Sequence, residues 1–296
     1  MAVPPAGLVD GRGGLSLPTG PPPWFGLDEP AIRSIEVHQT RAVASAGREW
    51  RDLGDAVLLH ARDDPEPFFN RLAAVRWPAA PAGFDRRLTE TLVLFATLRR
   101  RPYLWVIPGL SQPADIVARL RANGFVDLGG GYDMLLVRAP DRLDPSCFPP
   151  GSVLERIGTG PRADRTSRAR ELALVIEDSF GMDPRRRPGL EDEIEAAMGT
   201  AAFHACLLRV EGQPVATGQR FTFDGASYLS SIGTRPAWRG RGYGALVTAA
   251  LAGDSLADGA RLVYLGVHLD NDRAIAVYRR VGFEILGPRS ADLLLR

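Results

Sequence analysis

The residues whose types and spacing most directly suggest chemistry are Arg239-Gly240-Arg241-Gly242-Tyr243-Gly244. Three alternate glycines permit positive φ and let a ligand come against bare backbone. The next stretch, Ala245-Leu246-Val247-Thr248-Ala249-Ala250-Leu251, reads as a helix. The loop therefore opens on unpaired N–H groups and on the positive end of a helix dipole. Such a junction binds anions and suits a pyrophosphate. Triphosphate and dinucleotide loops rest on the same physics, but this loop has no Gly-Lys-Ser/Thr ending, and no acidic residue closes the next strand at dinucleotide spacing.

The elements around the loop narrow the reading. Ahead of it, Ser227-Tyr228-Leu229-Ser230-Ser231-Ile232 alternates as a strand does; beyond the helix, Leu262-Val263-Tyr264-Leu265-Gly266-Val267 is a nearly continuous apolar strand. After Asp270-Asn271 comes an amphipathic helix that ends at Gly282-Phe283, with Ala274, Val277, Tyr278 and Val281 on one face.

With these residues the chain resembles the GNAT superfamily of acyl-CoA-dependent N-acyltransferases. The loop pattern Gln/Arg-x-x-Gly-x-Gly/Ala is met by Arg239, Gly242 and Gly244, with Ile232, Thr234 and Pro236 in the lead-in. The pattern Asn-x-x-Ala-x-x-x-Tyr-x-x-x-Gly-Phe is met by Asn271, Ala274, Tyr278, Gly282 and Phe283.

The resemblance implies an α/β (α+β) fold of GNAT-like mixed β-sheet domains with flanking helices. It implies that the strand before the loop splays from the strand at 261–267, exposing backbone for the donor's pantetheine arm. N–H groups at Ile232, Gly233 and Thr234 would then bind pantetheine and the tetrahedral oxyanion. Arg239, Gly240, Arg241, Gly242, Tyr243, Gly244 and Ala245 would hold the pyrophosphate, and Asn271 would touch pantetheine while also serving as a helix N-cap. Tyr278 becomes the candidate general acid for the departing thiolate. The glutamate that many of these enzymes carry on the strand before the loop is missing, since that strand offers Tyr228, Ser230 and Ser231. His268 and His204 are candidate bases. Glu177, Asp178 and Asp183 fall where the family shapes its acceptor site. Arg185-Arg186-Arg187 reads as a solvated loop or as a dock for an acidic partner such as an acyl carrier protein.

The chain of 296 residues favours two domains. Residues 1–30 form a Pro/Gly-rich arm that reads as flexible, 31–139 a first domain, 140–150 a Pro-rich linker, and 151–296 the acyl-CoA-binding domain. The first domain reads as a degenerate GNAT-like copy of the second. Ala118–Phe125 echoes Ala276–Phe283, and Asp133–Arg138 echoes Asp292–Arg296. Leu120 stands where the second copy has Tyr278, and the glycine loop has no counterpart. This tandem layout is similar to that of mycothiol synthases.

A formal net charge of +1 gives no reason to expect nucleic acid or a membrane as partner. All 36 basic residues are Arg, which excludes acylation of a lysine of the chain itself. Cys147 and Cys206 do not make a disulfide framework, and the histidines and cysteines show no metal-ligand spacing. With no signal peptide or spanning segment in view, a cytoplasmic protein is expected. The expected function is transfer of an acetyl or other acyl group from CoA to a primary amine of a small molecule or peptide. The alternatives are a non-catalytic acyl-CoA-binding module and an acyltransferase that uses a long-chain or carrier-bound donor.

Overall fold

The computed structural model describes residues 25–141, 148 and 150–296. Most of the Pro/Gly-rich arm, most of the linker and Cys147 lie outside the described residues.

The first helix, α1 (Glu29–Ala44), starts where the Asp28 carboxylate accepts from the Ala31 N–H at 2.9 Å. The hairpin β1 (Glu49–Asp52) and β2 (Val57–His60) follows. Then come β3 (Arg71–Ala73), α2 (Pro81–Thr97), β4 (Tyr103–Val106), α3 (Ile116–Ala122), β5 (Phe125–Asp127) and β6 (Gly131–Leu136). The second half begins with β7 (Ser152–Ile157), α4 (Arg162–Phe180) and α5 (Arg187–Ala197). It continues through β8 (Phe203–Val210), β9 (Gln213–Phe223), β10 (Ala226–Thr234), α6 (Tyr243–Ala257) and β11 (Leu262–His268). It ends with α7 (Asp272–Val281), β12 (Phe283–Leu286) and β13 (Ala291–Leu295).

Two mixed sheets result, ordered β1-β2-β3-β4-β13-β5 and β12-β6-β11-β10-β9-β8-β7. In each sheet one strand pair is parallel, β3 with β4 and β10 with β11. The order β3-α2-β4-α3-β5-β6 is repeated as β10-α6-β11-α7-β12-β13, which is the internal repeat seen in the sequence echoes.

The sheets do not follow the division at 140–150. Strand β6 of the first half lies between β11 and β12, with Tyr264 opposite Leu135 and Ile285 opposite Met134. In return β13 lies between β4 and β5, with Leu293 opposite Leu104 and Leu294 opposite Val126. Each half thus completes the other's sheet, so the backbone groups of both strands are paired on two sides only when both halves are present.

Helices cover both faces of the second sheet. On one face Ile35 and Ala42 of α1 share a core with Leu172, Val175 and Ile176 of α4 and Ile194 of α5. On the other, Val247 and Leu251 of α6 pack with Ile275 and Val281 of α7. Helix α1 is further tied to the second sheet by His38. Its Nδ1 lies 2.7 Å from the Tyr264 hydroxyl, its Nε2 lies 3.2 Å from the Phe223 carbonyl, and its ring stacks on Phe223. Burial lowers the His38 pKa from its ordinary value to about 4, so the ring is neutral at pH 7. The first sheet has its own core, built from Trp77 with Phe84, Leu88 and Phe95 of α2.

Candidate active site

Strands β10 and β11 run as parallel neighbours from Ala226 opposite Leu262 to Leu229 opposite Leu265, and then they part. The cause is local. The β9–β10 register shifts between Ser230 and Gly233, and Ser231 takes φ 51°. A bulge of this kind bends the strand away from its neighbour. Beyond it β10 stays with β9, Thr234 opposite Ala216, while β11 stays with β6, His268 opposite Gly131. The backbone facing the gap has no partner strand.

A cleft of about 430 Å³ begins in that gap and runs to the start of α6. It is lined by Ile232, Gly233 and Thr234 of β10 and by Arg239, Gly240, Gly242, Tyr243, Gly244 and Ala245 at the glycine loop. Helix α7 adds Asn271, Ala274, Val277 and Tyr278. The positions read from the sequence for CoA, together with Tyr278, line this cleft except Arg241, and neither candidate base, His268 or His204, does. Arg241 stacks its guanidinium on Trp238, 4.9 Å from the ring centre. His268 is exposed at the end of β11, 3.8 Å from Asp270, and lines no described cavity.

The loop geometry suits an anion. Gly242 is the N-cap of α6 at φ 83° and no side chain caps the helix, so the first-turn N–H groups face the cleft unpaired. A side chain at Gly242 would be strained by that φ. Gly233 is glycine for a different reason. A Cβ there would sit 2.6 Å from the Cβ of Ser179, which brings the end of α4 hard against β10. Arg239 spans the same junction, giving its Nη2–H to the Ser179 carbonyl at 2.7 Å and its Nε–H to the Thr234 carbonyl at 3.2 Å. Part of its hydrogen-bonding capacity is thus committed to backbone.

Tyr278 is buried, 8% exposed, and its ring lies edge-on to Phe283. Its hydroxyl makes no hydrogen bond among the described residues. Burial pushes its pKa up to about 12, which keeps the proton on the phenol at neutral pH. Asn271 caps α7 by accepting from the Ala274 N–H at 3.2 Å and also lines the cleft, so its two expected roles are compatible.

The other acidic and basic candidates are engaged elsewhere. Arg187 grips the Glu177 carboxylate with two donors, Nη2 to Oε1 at 2.6 Å, and holds that carboxyl below the usual range. Asp178 pairs with Arg235 at 2.6 Å, and Asp183 caps the turn at Arg185. Arg186 bridges to Asp64 of the first half at 3.1 Å. The Arg185–Arg187 run is therefore largely a set of internal ties. His204 sits on β8 against Gly158, away from the cleft, and burial lowers its pKa.

The sequence reading missed Ser179, Phe180, Trp238, Arg273 and Arg280, which also line the cleft. For Arg273 and Arg280 a signal existed, because both flank the Ala274–Val277 stripe of α7 and could meet phosphate. Phe180 carried none; it is 55% exposed at the end of α4, an unusual position for a large apolar side chain. Among the described residues no group of His, Cys, Asp or Glu could hold a metal, and no helix is long and apolar enough to cross a membrane.

Comparison with known proteins agrees with this geometry. Residues 169–283 match the family model described as Acetyltransferase (GNAT) family. A stretch of 63 residues is 46% identical to the N-alpha-acetyltransferase RimI of Mycobacterium tuberculosis, covering 21% of this chain and 37% of that protein. The chain thus matches well under half the length of its curated relatives. Among solved structures, a GCN5-related N-acetyltransferase from Kribbella flavida superposes with a TM-score of 0.66 at 22% identity, over 88% of this chain and 94% of that one. A tandem GNAT protein from the clavulanic acid biosynthesis pathway does so at 0.55 and 19% identity, over 93% and 89%. The chain has the fold of these two proteins, and the stretch that matches the GNAT acetyltransferase family model, residues 169–283, holds the cleft.

Proposed function

We propose that the protein transfers an acetyl group from acetyl-CoA to a primary amine of a small molecule or peptide, by direct attack of the amine on the thioester. The observation that carries this reading is the coincidence, in one cleft, of an open parallel strand pair, a glycine-started helix and a buried, protonated tyrosine. The similarity to a protein named as an N-alpha-acetyltransferase supports an amine as acceptor.

The free N–H groups at the start of α6 would hold the pyrophosphate, with Arg273 and Arg280 adding charge from α7. The unpaired edge of β10 would hydrogen-bond the pantetheine arm and the carbonyl oxygen as it becomes an oxyanion. An ordinary alkyl amine, with pKa ~10.4, must shed a proton before it attacks. The nitrogen then adds to the carbonyl carbon, the C–S bond breaks, and Tyr278 gives its proton to the departing sulfur. The phenol regains a proton from the adduct's ammonium by way of water, so the products are a neutral amide and a thiol.

The test is thiol release from acetyl-CoA across a panel of amines, together with binding of acetyl-CoA to the protein alone. Release that depends on amine and falls about tenfold or more with Tyr278→Phe supports the reading. Binding of acetyl-CoA with no release for any amine supports a non-catalytic module instead.

A further inference from the structure

A second cavity, of about 310 Å³, lies on the α1, α4 and α5 side of the second sheet. It adjoins the donor cleft. Phe180 lines both, and along β10 Ser230 and Ser231 line one where Ile232 and Gly233 line the other. A molecule seated in it could therefore present a group to the gap between β10 and β11.

Its walls come from both halves. The first half supplies Val43 and Ala46 at the end of α1, then Arg48, Phe68 and Phe69; the second supplies Ile176, Met182, Leu190 and Phe221. The first half is thus more than a support for the second sheet. It closes a space that residues 151–296 would leave open.

The chemistry of the lining is specific. Arg48 and Glu193 are its charged residues, and they face one another, Nη2 to Oε1 at 2.5 Å. The Arg48 guanidinium also lies over the Phe69 ring at 3.8 Å. A cationic ligand therefore meets no free carboxylate here, and taking Glu193 from Arg48 would strand a charge on a side chain only 7% exposed. Beside the Arg48–Glu193 pair, the lining holds buried donors without hydrogen-bond acceptors among the described residues, Nε2 of Gln219 and Nε of Arg48. Gln219 is 6% exposed and belongs to the lining. An alkyl chain over these donors would leave them desolvated and unpaired, whereas a ligand oxygen would satisfy them.

From this geometry we infer that the second cavity holds the acceptor, and that the acceptor is a primary amine on an aromatic or branched apolar body bearing a carbonyl oxygen, the chemical class of an apolar α-amino acid amide. The inference rests on the acyl-transfer reading for its amine and on the cavity itself for its body. The apolar walls take the side chain, Gln219 takes the oxygen, and the amine turns past Phe180 toward the gap.

The experiment uses the full chain, with L-phenylalaninamide, phenethylamine and spermidine as amines. Binding of each is measured by titration calorimetry alongside transfer from acetyl-CoA. Phenylalaninamide should bind and be acetylated best, and spermidine at least tenfold worse in kcat/KM. In Ala46→Trp, which fills the cavity from the first half, phenylalaninamide binding should fall at least tenfold while acetyl-CoA binding is kept. In Gln219→Leu the amide should lose about tenfold in KM and phenethylamine less than about threefold, as expected for one hydrogen bond. A preference for spermidine, or phenylalaninamide binding unchanged in Ala46→Trp, overturns the inference. So does octanoyl-CoA binding that is lost in Ala46→Trp while acetyl-CoA binding survives, which would assign the cavity to an acyl chain. Should phenylalaninamide bind in a manner sensitive to Ala46→Trp while acetyl-CoA does not bind the wild type, the cavity assignment stands and the donor reading fails.

Discussion

The two halves carry the same parallel strand pair and differ in how the chain continues beyond it. In the first half β3 meets β4 at Leu72 opposite Leu104, and Ala74 then takes φ 53°, much as Ser231 takes 51° after the β10–β11 pairing. There the resemblance stops. The gap after β3 is closed by the chain itself: the Trp77 N–H donates to the Gln112 carbonyl and the Gln112 N–H to the Val75 carbonyl, both at 3.0 Å. The Trp77 ring, 2% exposed, packs against Phe84 below. Helix α2 begins with Pro81, which has no N–H to offer an anion. Leu120 fills the place that Tyr278 holds in α7. In the second half the same gap is unpaired, the helix after it begins at Gly242, and Tyr278 faces the opening. One scaffold has thus been finished in two ways, one filled with its own backbone and one left with free donors. A binding site in this fold is made by withholding hydrogen bonds that the other copy makes internally.

The comparison can be broken most severely at the exchanged strands. Removing residues 291–296 takes the buried Leu293 and Leu294 from between β4 and β5. Each core leucine contributes about 2–5 kcal/mol, so their joint loss rivals the ~5–15 kcal/mol that holds an ordinary domain together. The truncated protein should lose its cooperative thermal transition. Residues 151–296 alone, lacking β6, should also fail to fold unless a peptide covering 129–138 is supplied. A cooperative transition in either would mean that the exchange is not needed.

A second pair of variants tests the matched positions on α3 and α7. Tyr278→Phe should lower turnover by roughly ten- to a thousandfold, at or below the usual range for acid catalysis, because a thiolate is already a fair leaving group. Acetyl-CoA binding should be retained. Leu120→Met should leave turnover unchanged and cost less than about 1.5 kcal/mol in stability. Unchanged turnover in Tyr278→Phe, with chemistry shown to be rate-limiting, removes the tyrosine from the mechanism.

The contact that joins the halves can be followed by pH. His38 is neutral when folded, with its pKa lowered by burial from about 6.5 to about 4. The unfolded chain therefore takes up the proton first as pH falls. The stabilising contribution is complete above pH 6.5, declines between 6.5 and 4, and is gone below; its span is about 3 kcal/mol. Asp133, raised to about 7 by its own burial, slopes the opposite way across that window. The readout is thus the difference between wild type and His38→Gln, which should shrink as pH falls from 6.5 to 4. A difference independent of pH contradicts a neutral, buried His38.

A more local effect is expected at the junction of α4 and β10. Gly233→Ala puts a methyl 2.6 Å from the Ser179 Cβ and should cost roughly 1–3 kcal/mol of stability, with weaker acetyl-CoA binding. No change in either would show that α4 can move freely from the cleft.

Much of the cleft's lining was legible because its information is local. Glycines at 240, 242 and 244, Asn271, and Tyr278 on an apolar helix face each lie within a few residues of the structure they specify. The element pattern was legible for the same reason, and the echo between Asp133–Arg138 and Asp292–Arg296 pointed to equivalent strands. Which sheet each strand enters was not legible, since an apolar strand pairs equally well with either half and only tertiary packing decides. Strand β1 went unread because all four of its residues are exposed and show no alternation. The second cavity was invisible for a related reason: its walls come from positions 42–48, 68–69, 176–197 and 219–231, which no local pattern connects. The acidic residues at 177, 178 and 183 looked available in sequence, and the arginines that engage Glu177 and Asp178 could be identified only in three dimensions.

The central claim is that the gap left open in the second half, and only that one, receives an acyl-CoA. It is tested most directly by thermal unfolding with and without acetyl-CoA, in the wild type and in Gly242→Glu. At a hundred times its dissociation constant the ligand should stabilise the wild type by about 2.7 kcal/mol. Gly242→Glu, which places a carboxylate and a strained φ at the start of α6, should abolish that shift while the protein remains folded. An undiminished shift in Gly242→Glu, or no shift in the wild type, contradicts the account.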